Sequence, residues 1–154
     1  MVFKNILFIH HSPSTNTKEL SKFVEDKINS LTLKVNLKSL TPLAANFKSF
    51  ESIDGLIIGT TENFGYMSGL TKDFFDRNYE LLRTNTQGLP VFYYIRAGLD
   101  GEGSQVAIDK ILVGLGWRQV LPPLILKGPW EKIFFSSLEE KVLNFTSGIE
   151  LGIY

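Results

Sequence analysis

Residues 55–59 read Gly-Leu-Ile-Ile-Gly. Three aliphatic side chains in a row, closed at each end by glycine, leave no polar face. A strand without a polar face is covered on both sides, which places it inside a parallel sheet. Upstream, Leu31, Leu33, Val35 and Leu37 alternate with Thr32, Lys34, Asn36 and Lys38, the pattern of a half-buried strand. The run from Ile6 to His10 and the run from Val91 to Ile95 are apolar and read as central strands. The stretch from Val120 to Leu126 is broken by Pro122-Pro123, which central strands exclude. The second and fifth strands are therefore the edges. The order 2-1-3-4-5 puts them there, whereas 3-2-1-4-5 would leave residues 55–59 at an edge.

Helical periodicity fills the gaps between strands. Leu20, Phe23, Val24, Ile28 and Leu31 recur at offsets of three and four. Met67, Leu70, Phe74 and Leu81, with Phe75 and Tyr79 beside them, predict a second helix. Ala107, Ile108, Ile111, Leu112 and Leu115 predict a third, stopped by Gly116. Leu138, Val142, Phe145 and Ile149 predict the last. Strands alternating with helices give a three-layer α/β sandwich around a five-stranded parallel sheet. With 154 residues and no internal repeat or linker, residues 1–154 are expected to form a single domain.

Composition narrows the chemistry. Sixteen basic and sixteen acidic residues give zero net charge, and no basic patch stands out, so nucleic acid is not expected as a partner. There is no cysteine, which excludes disulfides, thiolate metal sites and cysteine nucleophiles. The two histidines, His10 and His11, are adjacent, and adjacent strand residues point to opposite faces. They do not suit a shared metal, and one is expected to be a hydrogen-bonded structural residue. The start of the chain lacks a basic leader, and no apolar run approaches the ~20 residues of a membrane span. A cytoplasmic protein is expected.

The polar loops carry the functional reading. In a sheet of this order, ligands sit beyond the carboxyl ends of the strands, beside the first and third. The first strand ends in His10-His11-Ser12-Pro13-Ser14-Thr15-Asn16-Thr17, and a helix is expected to open near Asn16 or Thr17. A helix N-terminus presents free N–H groups and partial positive charge. Together with Ser12, Ser14, Thr15, Asn16 and Thr17 it offers a phosphate monoester neutral donors alone. The plainer reading is an N-cap at Asn16 or Thr17, with Glu19 completing a capping box at Asn16. Walker glycines and lysine are missing, as is G-x-G-x-x-G. A phosphate-accepting receiver would need acidic residues where His10-His11 and Gly59-Thr60-Thr61 stand.

After the third strand, Thr60 to Ser68 offers two aromatic faces, Phe64 and Tyr66, around Gly65. A flat heteroaromatic ring stacks on such faces. After the fourth, Arg96-Ala97-Gly98-Leu99-Asp100-Gly101-Glu102-Gly103 carries three glycines, suited to wrapping a ligand edge or to a plain solvent loop. Glu62 reads as a solvated surface charge.

On these residues the chain resembles the flavodoxin-like FMN-binding superfamily, and within it the small NAD(P)H-dependent FMN and quinone reductases. The matching pieces are Ser12 to Thr17 and Thr60 to Arg77, including Phe64-Gly65, Met67-Ser68 and Lys72-Asp73-Phe74-Phe75-Asp76-Arg77. The resemblance implies FMN, with its phosphate at Ser12, Ser14, Thr15, Asn16 and Thr17. Its ring would lie between Thr60, Thr61, Glu62, Asn63, Phe64, Gly65 and Tyr66 on one side and Ala97, Gly98, Gly101 and Gly103 on the other. NAD(P)H is the implied donor, and a quinone, free flavin or similar small molecule, or a redox protein, the acceptor. The flavin would carry the chemistry, with no side chain acting as acid or base. A second copy of the chain is expected to complete so small a site. The alternative is a flavodoxin-type one-electron carrier, a class usually strongly acidic. The chain departs from the superfamily pattern at Thr61, where many relatives have proline, and at Leu99, Asp100 and Glu102 in the glycine loop.

Overall fold

The structure, a computed structural model, describes residues 2–32 and 34–154. The chain runs β1 (Lys4–His10), α1 (Thr15–Ser30), β2 (Val35–Leu40), a 3-10 turn (Phe47–Phe50), β3 (Gly55–Asn63), β4 (Tyr66–Met67) and α2 (Gly69–Asn85). It continues through β5 (Pro90–Ala97), α3 (Glu102–Leu115), β6 (Arg118–Gln119), β7 (Leu124–Lys127) and α4 (Ile133–Glu150). The sheet order is β2-β1-β3-β5-β6, with β7 also on β5, and all these pairings are parallel. With β5 as the fourth expected strand and β6 plus β7 as the fifth, this is the expected order 2-1-3-4-5.

Strand alternation sends side chains to two cores. Leu7, Ile9, Leu56, Ile58, Tyr93 and Ile95 face α2 and α3, where Phe74, Phe75, Ile108 and Leu112 meet them. Ile6, Phe8, Ile57, Phe92 and Tyr94 face α1 and α4, meeting Leu20, Val24, Leu138 and Phe145. Burial on both faces is what makes residues 55–59 uniformly apolar. Gly59 has a further reason: a Cβ there would lie 2.4 Å from the Tyr94 hydroxyl oxygen.

Four boundaries differ from expectation. Helix α1 opens at Thr15, ahead of Asn16 and Thr17, because Ser14 is its N-cap. Leu31 caps the helix's other end, so the second strand begins only at Val35; Leu33 lies outside the described residues. Helix α2 buries Thr71, Phe74, Phe75, Asn78 and Leu82, while Leu70 and Leu81 are exposed and Met67 belongs to β4. Two of those buried residues are polar and bonded. Asn78 accepts the Phe47 N–H at 3.0 Å and donates to the Phe74 carbonyl at 2.8 Å. A hydrophobic stripe cannot reveal polar residues that bury because their bonds are made. Finally, the fifth strand is two short pieces, β6 ahead of the expected start at Val120 and β7 from Leu124, with residues 120–123, prolines included, in neither.

Candidate functional site

The carboxyl ends of β1, β3 and β5 lie side by side, and the polar segments after β3 and β5 meet there. The β1 loop is tied to β3 by the His11 N–H, which donates to the Gly59 carbonyl at 2.9 Å. Ser14 and Thr17 then form a reciprocal capping box. The Ser14 hydroxyl oxygen accepts the Thr17 N–H at 3.2 Å, and Thr17 Oγ1 accepts the Ser14 N–H at 2.9 Å. The Thr17 hydroxyl also lies 3.0 Å from the Ser14 carbonyl it donates to. Asn16 and Glu19 therefore do not form the capping box that spacing alone suggested. Of the five expected phosphate residues, Ser14 and Thr17 satisfy each other, while Thr15 and Asn16 are exposed and Ser12 half-buried. No acidic residue stands in the first turn of α1, so nothing there opposes an anion.

The two histidines close β1 and open this loop. His10 Nδ1 is 2.8 Å from the Ser12 hydroxyl oxygen, and its Nε2 is 3.6 Å from Glu25 Oε1 on α1. Its ring centroid lies 4.8 Å from that of Phe8. Burial pulls the His10 pKa below the usual histidine value, with Glu25 working against the shift and His11 with it. Burial lowers His11 as well. The expected hydrogen-bonded structural histidine is thus His10. Glu25 was not legible as a site residue, since its partner is set by how α1 lies on β1.

The segment after residues 55–59 is not a loop at first. Strand β3 runs on through Thr60, Thr61, Glu62 and Asn63, then turns back into β4, with Asn63 opposite Tyr66. The turn residues Phe64 and Gly65 have φ of +54° and +75°. Two positive central φ values define the type I′ hairpin, which favours Asn and Gly. Phenylalanine in the left-handed region costs roughly 1–2 kcal/mol, and here no packing offsets it, because the Phe64 ring is wholly exposed. Tyr66 beside it is 41% exposed. Thr60 is buried in a hydroxyl cluster, 2.8 Å from Thr71 Oγ1, which is itself 2.8 Å from Ser68 Oγ. Ser68 caps α2 by accepting the Thr71 N–H at 3.2 Å. Thr60 therefore anchors a helix end. The Thr61 hydroxyl donates to Asn63 Oδ1 at 3.0 Å.

Glu62 latches this hairpin to the loop after β5. Its two carboxylate oxygens accept the N–H of Leu99 at 3.1 Å and of Gly101 at 2.8 Å. It is a bonded strut, and the solvated-charge reading of the sequence is corrected accordingly. The hairpin tip also touches α3 directly: a Cβ on Gly103 would lie 2.0 Å from the Gly65 carbonyl oxygen. Gly101 has φ +72° as the N-cap of α3, with Ile125 2.7 Å from where its Cβ would be. Two of the three loop glycines thus answer local packing, while Gly98 faces open space and Ala97 is buried. On the other side of β5, Arg96 donates to the carbonyls of Ala97, Leu126 and Gly128 and lies over the rings of Trp130 and Phe134. The loops after β3 and β5 are brought together through Glu62, with the β1 loop at the end of the neighbouring strand.

Among the described residues, no group of three or more His, Asp or Glu side chains is placed to hold a metal ion. Nor is any described helix long and apolar enough to cross a membrane.

This sheet order, its flanking helices and the loop cluster make the fold flavodoxin-like. A flavodoxin from the domain Archaea matches with a TM-score of 0.78 and 16% identity, over 94% of this chain and 98% of that one. Flavodoxin 1 from Bacillus cereus matches with a TM-score of 0.75 and 17% identity, over 94% and 98%. An NADH:FMN oxidoreductase in its apo form matches with a TM-score of 0.75 and 16% identity, over 94% and 89%. At these identities the likeness is one of fold. No family model matches the chain. U3 small nucleolar RNA-associated protein 10 of Meyerozyma guilliermondii is 27% identical over 135 residues, which are 82% of this chain and 7% of that protein. The chain spans that small fraction of its curated relative's length.

Proposed function

We propose that the protein binds FMN and acts as an oxidoreductase, taking electrons from NAD(P)H and passing them to a quinone, free flavin or similar acceptor. The observation that carries this reading is the Phe64 ring. It is held wholly exposed, at a conformational cost, at the tip of the hairpin that ends β3, and the helix N-terminus that follows the neighbouring β1 is free of acidic residues. FMN has a phosphate at one end and a flat ring at the other, and the residues present fit both. The first-turn N–H groups of α1, with Ser12, Thr15 and Asn16, would hold the phosphate. Phe64 and Tyr66 would cover a face of the ring. Glu62 already occupies the N–H groups of Leu99 and Gly101, so it would hold the β5 loop in place, and the ring's polar edge would meet the backbone near Gly98. When bound, the flavin supplies hydride acceptance and electron transfer. The chain's own residues bind, orient and cover it, and none is required as acid or base.

A flavodoxin-type carrier is the second reading, favoured by the flavodoxins among the structural neighbours. Zero net charge weighs against it, since carriers dock on partners by charge. A second copy completing the ring site accompanies the first reading. Both are tested by titrating the chain with FMN, then mixing the complex anaerobically with NADH and with NADPH. Rapid loss of the flavin absorbance supports the reductase. Absorbance that persists with both nucleotides refutes it and leaves the carrier, and absence of FMN binding refutes the proposal as a whole.

A further inference from the structure

Ser12, His10 and Glu25 form a chain of contacts from the β1 loop to a half-buried carboxylate on α1. The Ser12 hydroxyl oxygen is 2.8 Å from His10 Nδ1, and His10 Nε2 is 3.6 Å from Glu25 Oε1. Glu25 is steadied by Ser39 of β2, whose hydroxyl donates to the same oxygen at 2.6 Å. The His10 side chain is 16% exposed. The direction of the Ser12–His10 bond depends on where the imidazole protons sit.

In a neutral ring with its proton on Nε2, facing Glu25, Nδ1 accepts the Ser12 hydroxyl proton. Ser12 then turns only lone pairs towards the helix N-terminus. A phosphate dianion is itself an acceptor and gains nothing from them. In the imidazolium, Nδ1–H donates to Ser12 and Nε2–H faces the Glu25 carboxylate. Ser12's own proton is then free to donate to an anion, and that bond is charge-assisted. The other neutral tautomer frees Ser12 but turns a nitrogen lone pair towards the carboxylate.

We propose that His10 is a positioning residue for the phosphate of FMN, acting through Ser12, and that the phosphate monoester binds together with one proton taken up by His10. This rests on the FMN reading given above. The groups facing His10 agree with it. Glu25 from α1 is the anion that would stabilise the imidazolium, and His11 on the same strand opposes it. From β5 comes the Tyr94 phenol, whose pKa is raised by burial and then by Glu25, so it stays neutral. Beside His10 on β3 is Gly59, which has no side chain. Burial lowers the His10 pKa in the free protein, which favours taking the proton up on binding.

The test is the affinity for FMN and for riboflavin between pH 6.5 and 8.5, above the phosphate's own second ionisation near ~6. FMN binding should tighten as pH falls, by about two- to tenfold per unit, tenfold being the limit for one proton. Riboflavin binding should not change. Calorimetry in buffers of different ionisation enthalpy should show proton uptake with FMN. His10→Asn places an amide donor near the Nδ1 position, so it should bind FMN tightly with a flat pH profile. His10→Phe leaves the Ser12 proton free but with no charged donor behind it, so it should bind FMN less tightly than the wild type does at pH 6.5, with a flat profile. FMN binding that is independent of pH in the wild type, or a His10→Phe profile that keeps the wild-type slope, overturns this inference and leaves the FMN reading standing. No FMN binding at any pH overturns both.

Discussion

Removing the Glu62 latch is a direct perturbation of the loop cluster. In Glu62→Ala the N–H groups of Leu99 and Gly101 lose a charged acceptor at 3.1 and 2.8 Å. Hydrogen bonds to charged groups contribute roughly 1.5–3 kcal/mol each. The two losses are unequal. Leu99 is 74% exposed, so water replaces the carboxylate at its N–H. Gly101 is buried against Ile125, where water has little access, and its N–H bears most of the penalty. The expected loss is about 2 kcal/mol, which for a chain of this size lowers Tm by about 4–8 °C. Glu62→Gln keeps one carbonyl acceptor and should lose about half as much. Urea unfolding gives the free energies. Hydrogen exchange locates them: the amides of Leu99 and Gly101 should lose protection while those of Ile57 and Tyr93 keep it. A change below about 0.5 kcal/mol, with protection at Gly101 intact, would refute the latch, being the ordinary range for surface substitutions.

Phe64→Asn should move stability and binding in opposite directions. Relief of the left-handed phenylalanine should raise stability by about 0.5–1 kcal/mol, seen in thermal unfolding, while FMN binds more weakly in a fluorescence titration. Gly103→Ala drives a methyl group into the Gly65 carbonyl and should cost about 1–3 kcal/mol in denaturant unfolding. Both histidines are held below their ordinary pKa in the folded protein, so the unfolded chain binds more protons as pH falls past 6.5. The ligand-free protein should therefore lose stability from pH 7.5 to 5.5, and His10→Asn should lose less over that range.

The fold was readable because burial on two faces and burial on one leave different marks. Residues 55–59 carry no polar side chain and lie between β1 and β5, while Asn36 and Lys38 face solvent on the β2 edge. Prolines 122 and 123 marked the other edge for the reason that proline cannot donate to a ladder. Helix α2 was placed in the wrong phase because Thr71 and Asn78 are buried by bonding, which hydrophobicity does not register. The hairpin at Phe64 was hidden because phenylalanine is a poor residue for a turn that favours asparagine and glycine. The loops that make up the candidate site stood out by their neutral polar and aromatic content. The partners within them did not: Ser14 to Thr17 competes with Asn16 to Glu19 on spacing alone. The contacts of Glu62 with Gly101, and of His10 with Glu25, span 39 and 15 residues and exist only once the strands are paired.

The central claim is that the helix α1 N-terminus holds a phosphate monoester joined to a ring at the Phe64 hairpin. Parallel titrations with FMN and riboflavin at one pH test it most directly. The two ligands share the ring and differ in the phosphate. One charge-assisted hydrogen bond at that end is worth roughly 1.5–3 kcal/mol, so FMN should bind at least about tenfold tighter than riboflavin. Equal affinities, or binding of neither, would contradict the account.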